Sequence, residues 1–408
     1  MEINSGDTAW VLVSAALVLL MTPGVAFFYG GMVRAKSVLN MMMMSFGAMA
    51  TVGVLWVLFG YSEAFGSSIG GVIGNPLEFA GLKGLMAPSA VSGTVPTLAF
   101  VAFQAMFAII AVALISGAIA DRTKFSTWLV FTVLWAVIVY FPIAHWVFAF
   151  DSADGSTKGG WIANGIKALD FAGGTAIHIN AGSALGANTL AAVAFINTLA
   201  ATSAAIIGWL IVERIRDGHA TSLGAASGTV AGLVGITPAA NSVSPLGAVV
   251  LGVITGACCA WAVSLKNRFN YDDSLDVVGV HLVGGLVGTL LIGFLATDAS
   301  PAGVDGLLYG GGFDQLWRQA VGAFSVLITS FVVSYVIGMI LHKTMGFRID
   351  HDHELEGIDL HQHAESAYEL LGQRGVRSLV TSAARVSTTS GDRHDTSAAQ
   401  TNQGAVSS

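Results

Sequence analysis

Two histidines inside apolar stretches are the residues whose chemistry most needs an explanation. His178 follows Asp170 by eight residues, and His281 follows Asp276 by five. An ionisable side chain at membrane depth is costly and marks function by default. A single histidine could equally be a hydrogen-bonded core residue, but the repeated pattern predicts a pair of pore residues. Each aspartate could be only a helix N-cap, or could in addition shape the mouth of a site.

Aromatic side chains form a second candidate cluster. Phe103 and Phe107 are four residues apart, on one face of a predicted helix. Trp146 and Phe148 lie near the end of the next apolar run. Packing or an interfacial belt would explain these rings. The functional alternative is an aromatic mouth that holds a small cation by cation–π attraction of about 0.5–2 kcal/mol.

The sequence gives little support for a metal site, an enzyme active site or a nucleic-acid site. A solvated tail explains the four histidines between 351 and 363 better than a metal site does. The sequence has no Walker motif, no Gly-x-Ser-x-Gly and no catalytic triad, so we expect neither an enzyme nor a cofactor. The net charge of −7 gives no reason to expect a nucleic-acid partner.

The composition identifies lipid as the solvent. Hydrophobic residues make up 54% of the 408-residue chain and charged residues only 11%, whereas soluble domains carry about 25% charge. The 50 glycines favour closely packed helices. The expected fold is therefore all-α, a polytopic transmembrane helical bundle.

Apolar runs of about 20 residues predict nine full spans. They lie near 9–32, 38–62, 96–119, 126–150, 186–212, 222–239, 246–265, 277–297 and 317–342, with a weaker segment at 171–184. We predict a transmembrane domain over residues 1–345. Residues 346–408 are then a cytoplasmic tail, disordered towards its end.

The basic residues of the short connections predict the orientation. One set has ten lysines and arginines, from Arg34 to Arg348, and the opposite set has four: Lys83, Lys158, Lys167 and Arg318. In a cell membrane the first set should face the cytoplasm. The amino terminus is then outside and the carboxyl terminus inside.

The stretch from Phe171 to Val212 breaks the pattern, because its 42 residues include no Asp, Glu, Lys or Arg. One helix of that length would be about 63 Å long, twice the hydrocarbon core. Two full spans would reverse every later basic loop. The charge pattern therefore favours one full span plus a partial or re-entrant piece, which must be surrounded by protein or by a water-filled cavity.

Several motifs in this sequence resemble the ammonium transporter family, bacterial relatives of the Rhesus glycoproteins. The two most specific are Asp170-Phe-Ala-Gly-Gly-Thr-Ala-Ile-His178 and Tyr271-Asp-Asp-Ser-Leu-Asp-Val-Val-Gly-Val-His281. Phe27-Phe-Tyr-Gly-Gly-Met-Val-Arg-Ala-Lys36, Phe103-Gln-Ala-Met-Phe107 and Gly357-Ile-Asp-Leu extend the resemblance from the first span into the tail.

The resemblance implies a homotrimer in the lipid bilayer, with one pore for ammonium or ammonia in each subunit. It implies that His178 and His281 are the paired pore histidines. Phe107 would be a gate ring beside Phe103, and Ser183 would contact ammonium.

Asp170 would support the recruitment site, and Asp276 would give structural support. By the same resemblance, a PII-class nitrogen-regulatory protein could dock at the cytoplasmic face.

The sequence departs from the family pattern in three places. Phe148 stands where the family has a vestibule tryptophan, and Trp146 lies two residues earlier. Ala111-Val112 replaces the usual Thr-Pro. The family's two Asn-Ala-Gly stretches are merged at Asn180, so about two helices are missing after His178, and Ile179 replaces the second gate phenylalanine.

The leading hypothesis is channel-like transport of ammonium, or a non-functional deleted variant of such a transporter. An ammonium-binding sensor that signals through its tail is an alternative of another class. A proton or cation channel that uses only the histidines is a third.

Overall fold

The computed structural model describes residues 2–152, 155, 157–177 and 188–368, and these residues form an α-helical bundle. The chain divides into two units, Met1–Glu365 and Ser366–Ser408. The helices are α1 (Ser5–Leu19), α2 (Met21–Met32), α3 (Val38–Leu55), α4 (Tyr61–Phe65), α5 (Thr97–Ile115), α6 (Phe125–Trp135), α7 (Phe141–Phe148), α8 (Thr189–Asp217), α9 (Ser222–Ile236), α10 (Pro245–Ala262), α11 (Leu265–Phe269), α12 (Val283–Leu295), α13 (Asp314–Thr344), α14 (His351–Glu356) and α15 (Ile358–His363).

Shorter elements complete the description. π-helical turns occupy Trp56–Gly60, Ala136–Tyr140, Ile162–Ile166 and Val278–Leu282, and 3₁₀ turns occupy Ala80–Leu82, Ser116–Ile119 and Leu307–Tyr309. Two small antiparallel hairpins pair β1 (Ser68–Ile69) with β2 (Ile73–Gly74) and β3 (Val91–Ser92) with β4 (Val95–Pro96).

Eight helical stretches of the described residues are long and apolar enough to cross a membrane. They are Ser5–Met32, Val38–Phe65, Thr97–Ile119, Phe125–Phe148, Thr189–Asp217, Pro245–Phe269, Val278–Leu295 and Asp314–Thr344. The remaining predicted span, 222–239, corresponds to α9, which has only 15 residues and is about 22 Å long. The prediction of nine full spans therefore becomes eight full-length candidates and one shorter apolar helix.

Side-chain caps fix where several helices begin. Asn4, Asn188, Thr221 and Ser244 each accept a hydrogen bond from a backbone N–H in the first turn of α1, α8, α9 and α10, respectively. Such caps satisfy donors that have no partner within the helix. The sequence thus encodes these boundaries locally, even in a chain that is apolar almost throughout.

Glycines bring α8 and α10 into backbone contact. A Cβ atom added at Gly252 would overlap the carbonyl oxygen of Ala201, and one added at Gly256 would overlap that of Ala205. These positions are four residues apart on both helices, so they form one continuous line of close approach. The glycine richness of this region is therefore a packing feature.

Most of the basic residues of the larger charge set lie at one end of the bundle, here called the basic end. Arg34 pairs with Asp121 at 3.3 Å and with Glu354 at 3.7 Å, and Arg122 pairs with Asp272. Arg348, which follows α13, joins Asp272 and Glu354. These pairs link four loops and α14 to one another.

The other end, here called the opposite end, carries the loops 66–96 and 149–170. Trp146 donates its indole N–H to the carbonyl of Val72 at 2.6 Å, and the amide of Ser68 donates to the carbonyl of Lys158 at 3.1 Å. Arg318 donates to the carbonyl of Ile166 at 2.8 Å. These bonds tie the two long loops to each other and to α13.

The contact between α8 and α10 predicts a strong effect of one methyl group. Gly256→Ala should push the helices apart and lower the free energy of unfolding by about 1–3 kcal/mol, the usual range for overpacking. Thermal unfolding of the purified protein in detergent would measure this loss as a lower melting temperature.

Gly338→Ala is the matched control, because nothing lies within 4 Å of a Cβ atom at that helical position. It should leave the melting temperature unchanged or raise it slightly, since alanine is the better helix former. Equal melting temperatures for both variants would contradict the packing account.

Candidate functional site

The two predicted gate phenylalanines are neighbours on α5. The ring centroids of Phe103 and Phe107 are 5.0 Å apart, with the rings at 81°. Phe107 is buried in the main core, and Phe103 packs beside it and against Val11 and Ala99. An edge-to-face pair points the positive edge of one ring at the negative face of the other. The structure thus brings together the two rings that the sequence placed on one helical face.

Phe148 and Trp146, both on α7, have different surroundings. Phe148 is buried in the same core cluster as Phe107. Trp146 instead donates its N–H to Val72, and its ring lies 5.8 Å from that of Trp161. Within the described part of the chain, no ring contact joins Trp146 to Phe103 or Phe107. The indole therefore contacts the loops of the opposite end.

The Asp170 carboxylate organises the start of the unusual charge-free stretch. Its Oδ1 accepts hydrogen bonds from the amides of Gly173 and Gly174 at 3.0 and 2.9 Å, and its Oδ2 accepts one from Thr175 at 3.2 Å. Residues 171–177 form irregular turns rather than a helix. The sequence allowed Asp170 to be a helix N-cap, but the amides that it accepts from belong to turns, so it caps a turn segment instead.

Neighbouring elements hold this turn segment on both sides. The Gln319 side chain accepts from the amide of Leu169 at 2.6 Å and donates to its carbonyl at 2.7 Å. Phe171 donates its amide to the carbonyl of Pro238, and the Thr175 hydroxyl lies 3.1 Å from that of Thr289. Sequence reasoning missed Gln319, which lies among other polar residues in the first turns of α13 and so gave no separate signal.

His178 and Ser183, and with them the merged Asn-Ala-Gly stretch, lie outside the described residues. Their expected roles as pore histidine and ammonium contact remain predictions. The described chain resumes at Asn188, which caps α8.

His281 lies in a π-helical turn that immediately precedes α12. The turn Val278–Leu282 contains it, and Val280 on the same turn is buried beside Cys259 and Trp209. π turns are rare and occur frequently at functional sites, because they redirect side chains within a helix. The sequence identified the histidine but gave no sign of the altered backbone around it.

The cap of this turn is Asp273 rather than Asp276. The two Asp273 carboxylate oxygens accept from the amides of Val277 and Val278 at 2.8 and 2.9 Å. Asp276 forms an ion pair with Lys266 at 2.6 Å, and its backbone has a positive φ of 60°. Both carboxylates lie at the basic end, so Asp276 lies away from the rings of Phe103 and Phe107.

Burial gives Asp273 an unusual titration. Removal from water is the main cause that raises the pKa of its carboxyl group, and the nearby charge of Asp276 raises it further. The backbone amides that bond to the carboxylate act in the opposite direction. The folded protein therefore binds a proton at Asp273 more tightly than the unfolded chain does.

The tail contacts the basic end of its own subunit. Asp359 is 2% exposed, and its oxygens accept from the amides of Leu39 and Asn40 at 3.0 and 2.7 Å, at the start of α3. His363 lies 3.0 Å from the Asn40 side-chain oxygen, and Gln362 accepts from the amide of Phe125. Among the described residues no cluster of three or more His, Cys, Asp or Glu could hold a metal ion.

Known proteins are similar to this chain over most of its length. The model named Ammonium Transporter Family matches residues 9–182 and again 179–368. An ammonium transporter of Mycobacterium tuberculosis is 53% identical, with 90% of this chain and 91% of the relative covered. One of Bacillus subtilis is 42% identical, with 89% and 98% covered. The crystal structure of Saccharomyces cerevisiae Mep2 superposes with a TM-score of 0.77 at 30% identity, covering 86% of this chain and 89% of Mep2.

One of these findings concerns the merged stretch, and another concerns the length by which this chain falls short of its alignment to the mycobacterial relative. The two family matches share residues 179–182, which are Ile-Asn-Ala-Gly. The alignment to the mycobacterial relative has 433 positions, whereas 90% of 408 residues is about 367, so about 66 positions have no residue of this chain. That number is enough for two helices of about 20–25 residues with their connection.

The raised pKa of Asp273 predicts a pH-dependent effect of substitution. Asp273→Asn keeps an oxygen for the cap but cannot ionise. As pH rises from about 4, the unfolded-state value, the wild type loses stability as the buried carboxyl ionises, whereas the variant does not. The melting temperature of Asp273→Asn should therefore rise relative to the wild type as pH increases above about 4.

Asp273→Ala separates capping from charge. It should lower the melting temperature at every pH, by the equivalent of about 0.5–2 kcal/mol, because two amides lose their acceptor. If the difference in melting temperature between Asp273→Asn and the wild type did not change with pH, the pKa of the Asp273 carboxyl group would not be raised by folding.

Proposed function

This chain belongs to the ammonium transporter family, a family of multi-pass membrane proteins that transport ammonium, and from that premise we propose the following route through it. The ammonium ion is recruited at an aromatic vestibule formed by Phe103, Phe107 and Phe148. It then enters an apolar pore that contains His281 and His178. The observation that carries the proposal is the edge-to-face pair of Phe103 and Phe107 on α5.

The aromatic rings supply selectivity for a cation over water. A small cation over the face of a ring gains about 0.5–2 kcal/mol, and more where water is excluded. Phe107 is only 9% exposed, so its ring is largely removed from water. Ser183 is proposed to accept a hydrogen bond from the recruited ion, and the Asp170 carboxylate to favour a positive charge at this mouth. Trp146 is proposed to border the mouth from its position against Val72.

The apolar interior supplies the chemistry of passage. A bare charge costs several kcal/mol or more in such a pore, so the ion is expected to release a proton and to cross as ammonia. A neutral imidazole has one donor and one acceptor nitrogen. His281, with His178, can therefore bond with ammonia and relay the proton.

Orientation and assembly follow from the same premise. We place the basic end in the cytoplasm, because ten of the connecting lysines and arginines belong to its charge set and four to the opposite set. A homotrimer in the cell membrane, and a PII-class regulatory protein at the basic end, are proposed from the family resemblance. Asp276 is proposed to support this end structurally through its ion pair with Lys266.

A transport assay tests the route. Cells without ammonium transporters of their own should gain methylammonium uptake when they express the full chain. Phe107→Leu keeps an apolar side chain but removes the ring, and should reduce uptake about two- to thirty-fold, the equivalent of the lost cation–π energy.

Phe150→Leu is the matched control, since that ring is 59% exposed just after α7, and its uptake should equal that of the wild type. No uptake by the wild-type chain despite its presence in the membrane would identify a non-functional deleted variant. Currents that persist without ammonium would instead favour a proton or cation channel.

The regulatory partner has its own test. Truncation after Gly346 removes α14 and α15 together with the Asp359 contacts to α3, and so should abolish co-purification of a PII-class protein with the membrane chain. Comparable amounts of truncated and full-length chain in the membrane provide the control. Undiminished co-purification would place the partner elsewhere.

A further inference from the structure

A groove with a single acidic side chain opens on the flank of the bundle. It lies between α4, the segment 137–146 and α13, and it encloses about 390 Å³. Its walls are mostly apolar, with Val72, Ile138 and Ile143 among them. The volume is within the range of pockets that bind small organic molecules.

Glu63 is the only ionisable residue that lines this groove. It lies in α4, near the end of the span Val38–Phe65, and is 6% exposed. Its carboxyl group makes no hydrogen bond or ion pair with any other residue within the described ranges. A buried carboxylate without a partner is strongly destabilising, unless a proton or a cation neutralises it.

The edges of the groove show where an occupant would enter. Ile138, in the middle of the span Phe125–Phe148, is 49% exposed, and Val72 in the adjoining loop is 53% exposed. The opening therefore faces sideways, towards lipid at the level of a membrane-spanning helix. Trp146 borders the same groove and presents its ring there, while its N–H is bonded to Val72.

We propose that this groove binds an amphiphilic amine that enters from the bilayer. The ammonium group pairs with the Glu63 carboxylate, beside the ring of Trp146, and an apolar chain lies along Ile138 and Ile143. Charge complementarity selects the cation, because the other lining side chains carry no charge. The apolar walls select a hydrocarbon chain over a hydrated ion, and a single carboxylate offers too few oxygen ligands for a metal ion.

Tryptophan quenching provides a direct test. The full chain in phosphatidylcholine nanodiscs is titrated with 10-bromodecylammonium and, separately, with the neutral 10-bromodecan-1-ol. The part of the quenching that depends on Trp146 is obtained by subtracting the quenching measured for the Trp146→Phe variant. The ammonium probe should reach half-maximal quenching at a concentration at least about tenfold lower than the alcohol, a difference of about 1.4 kcal/mol.

Glu63→Gln imitates the protonated side chain and should abolish this preference, so that both probes quench at the same concentration. Glu2→Gln, near the exposed amino terminus, should keep it. Unchanged methylammonium uptake by Glu63→Gln would establish that the variant folds. Equal quenching by both probes in the wild type, or an undiminished preference in Glu63→Gln, would overturn the proposal.

Discussion

The carboxylate of Asp170 makes the interaction that holds the start of the charge-free stretch from Phe171 to Val212. Three consecutive backbone amides, those of residues 173–175, donate to it. At membrane depth every backbone N–H must find a partner within the protein. Because Asp170 provides these partners in one place, residues 171–177 can form compact turns instead of continuing as a helix.

At the basic end, two carboxylates accept hydrogen bonds from the first backbone amides of two other helical segments. Asp273 receives the first amides of the turn that holds His281, and Asp359 receives those of α3. Asp359 lies more than 300 residues after the helix that it caps. The tail is therefore part of the folded structure up to this point, and it holds the start of α3 at this end.

The sequence predicted the spans because an apolar run of sufficient length has few alternatives to a membrane helix. It also predicted the neighbouring rings of Phe103 and Phe107, since four residues make one helical turn. It missed Gln319 and Asp359, whose partners come from distant parts of the chain. It also missed Asp273, which accepts from amides only four and five residues later. The π turn around His281 was equally hidden, because it arises from packing between helices rather than from local preference. Glu63 lies one residue beyond the predicted span 38–62, so the span prediction did not include it.

We propose that the turn segment anchored by Asp170 completes a conducting route, although about 66 positions of the alignment with the mycobacterial relative have no residue of this chain. Proteoliposomes that contain the purified chain and an internal pH dye, mixed rapidly with ammonium, provide the test. The interior should alkalinise faster than that of empty liposomes, and Asp170→Ala should return the rate to that of empty liposomes. A wild-type rate equal to that of empty liposomes, or an Asp170→Ala rate equal to the wild type, would contradict it.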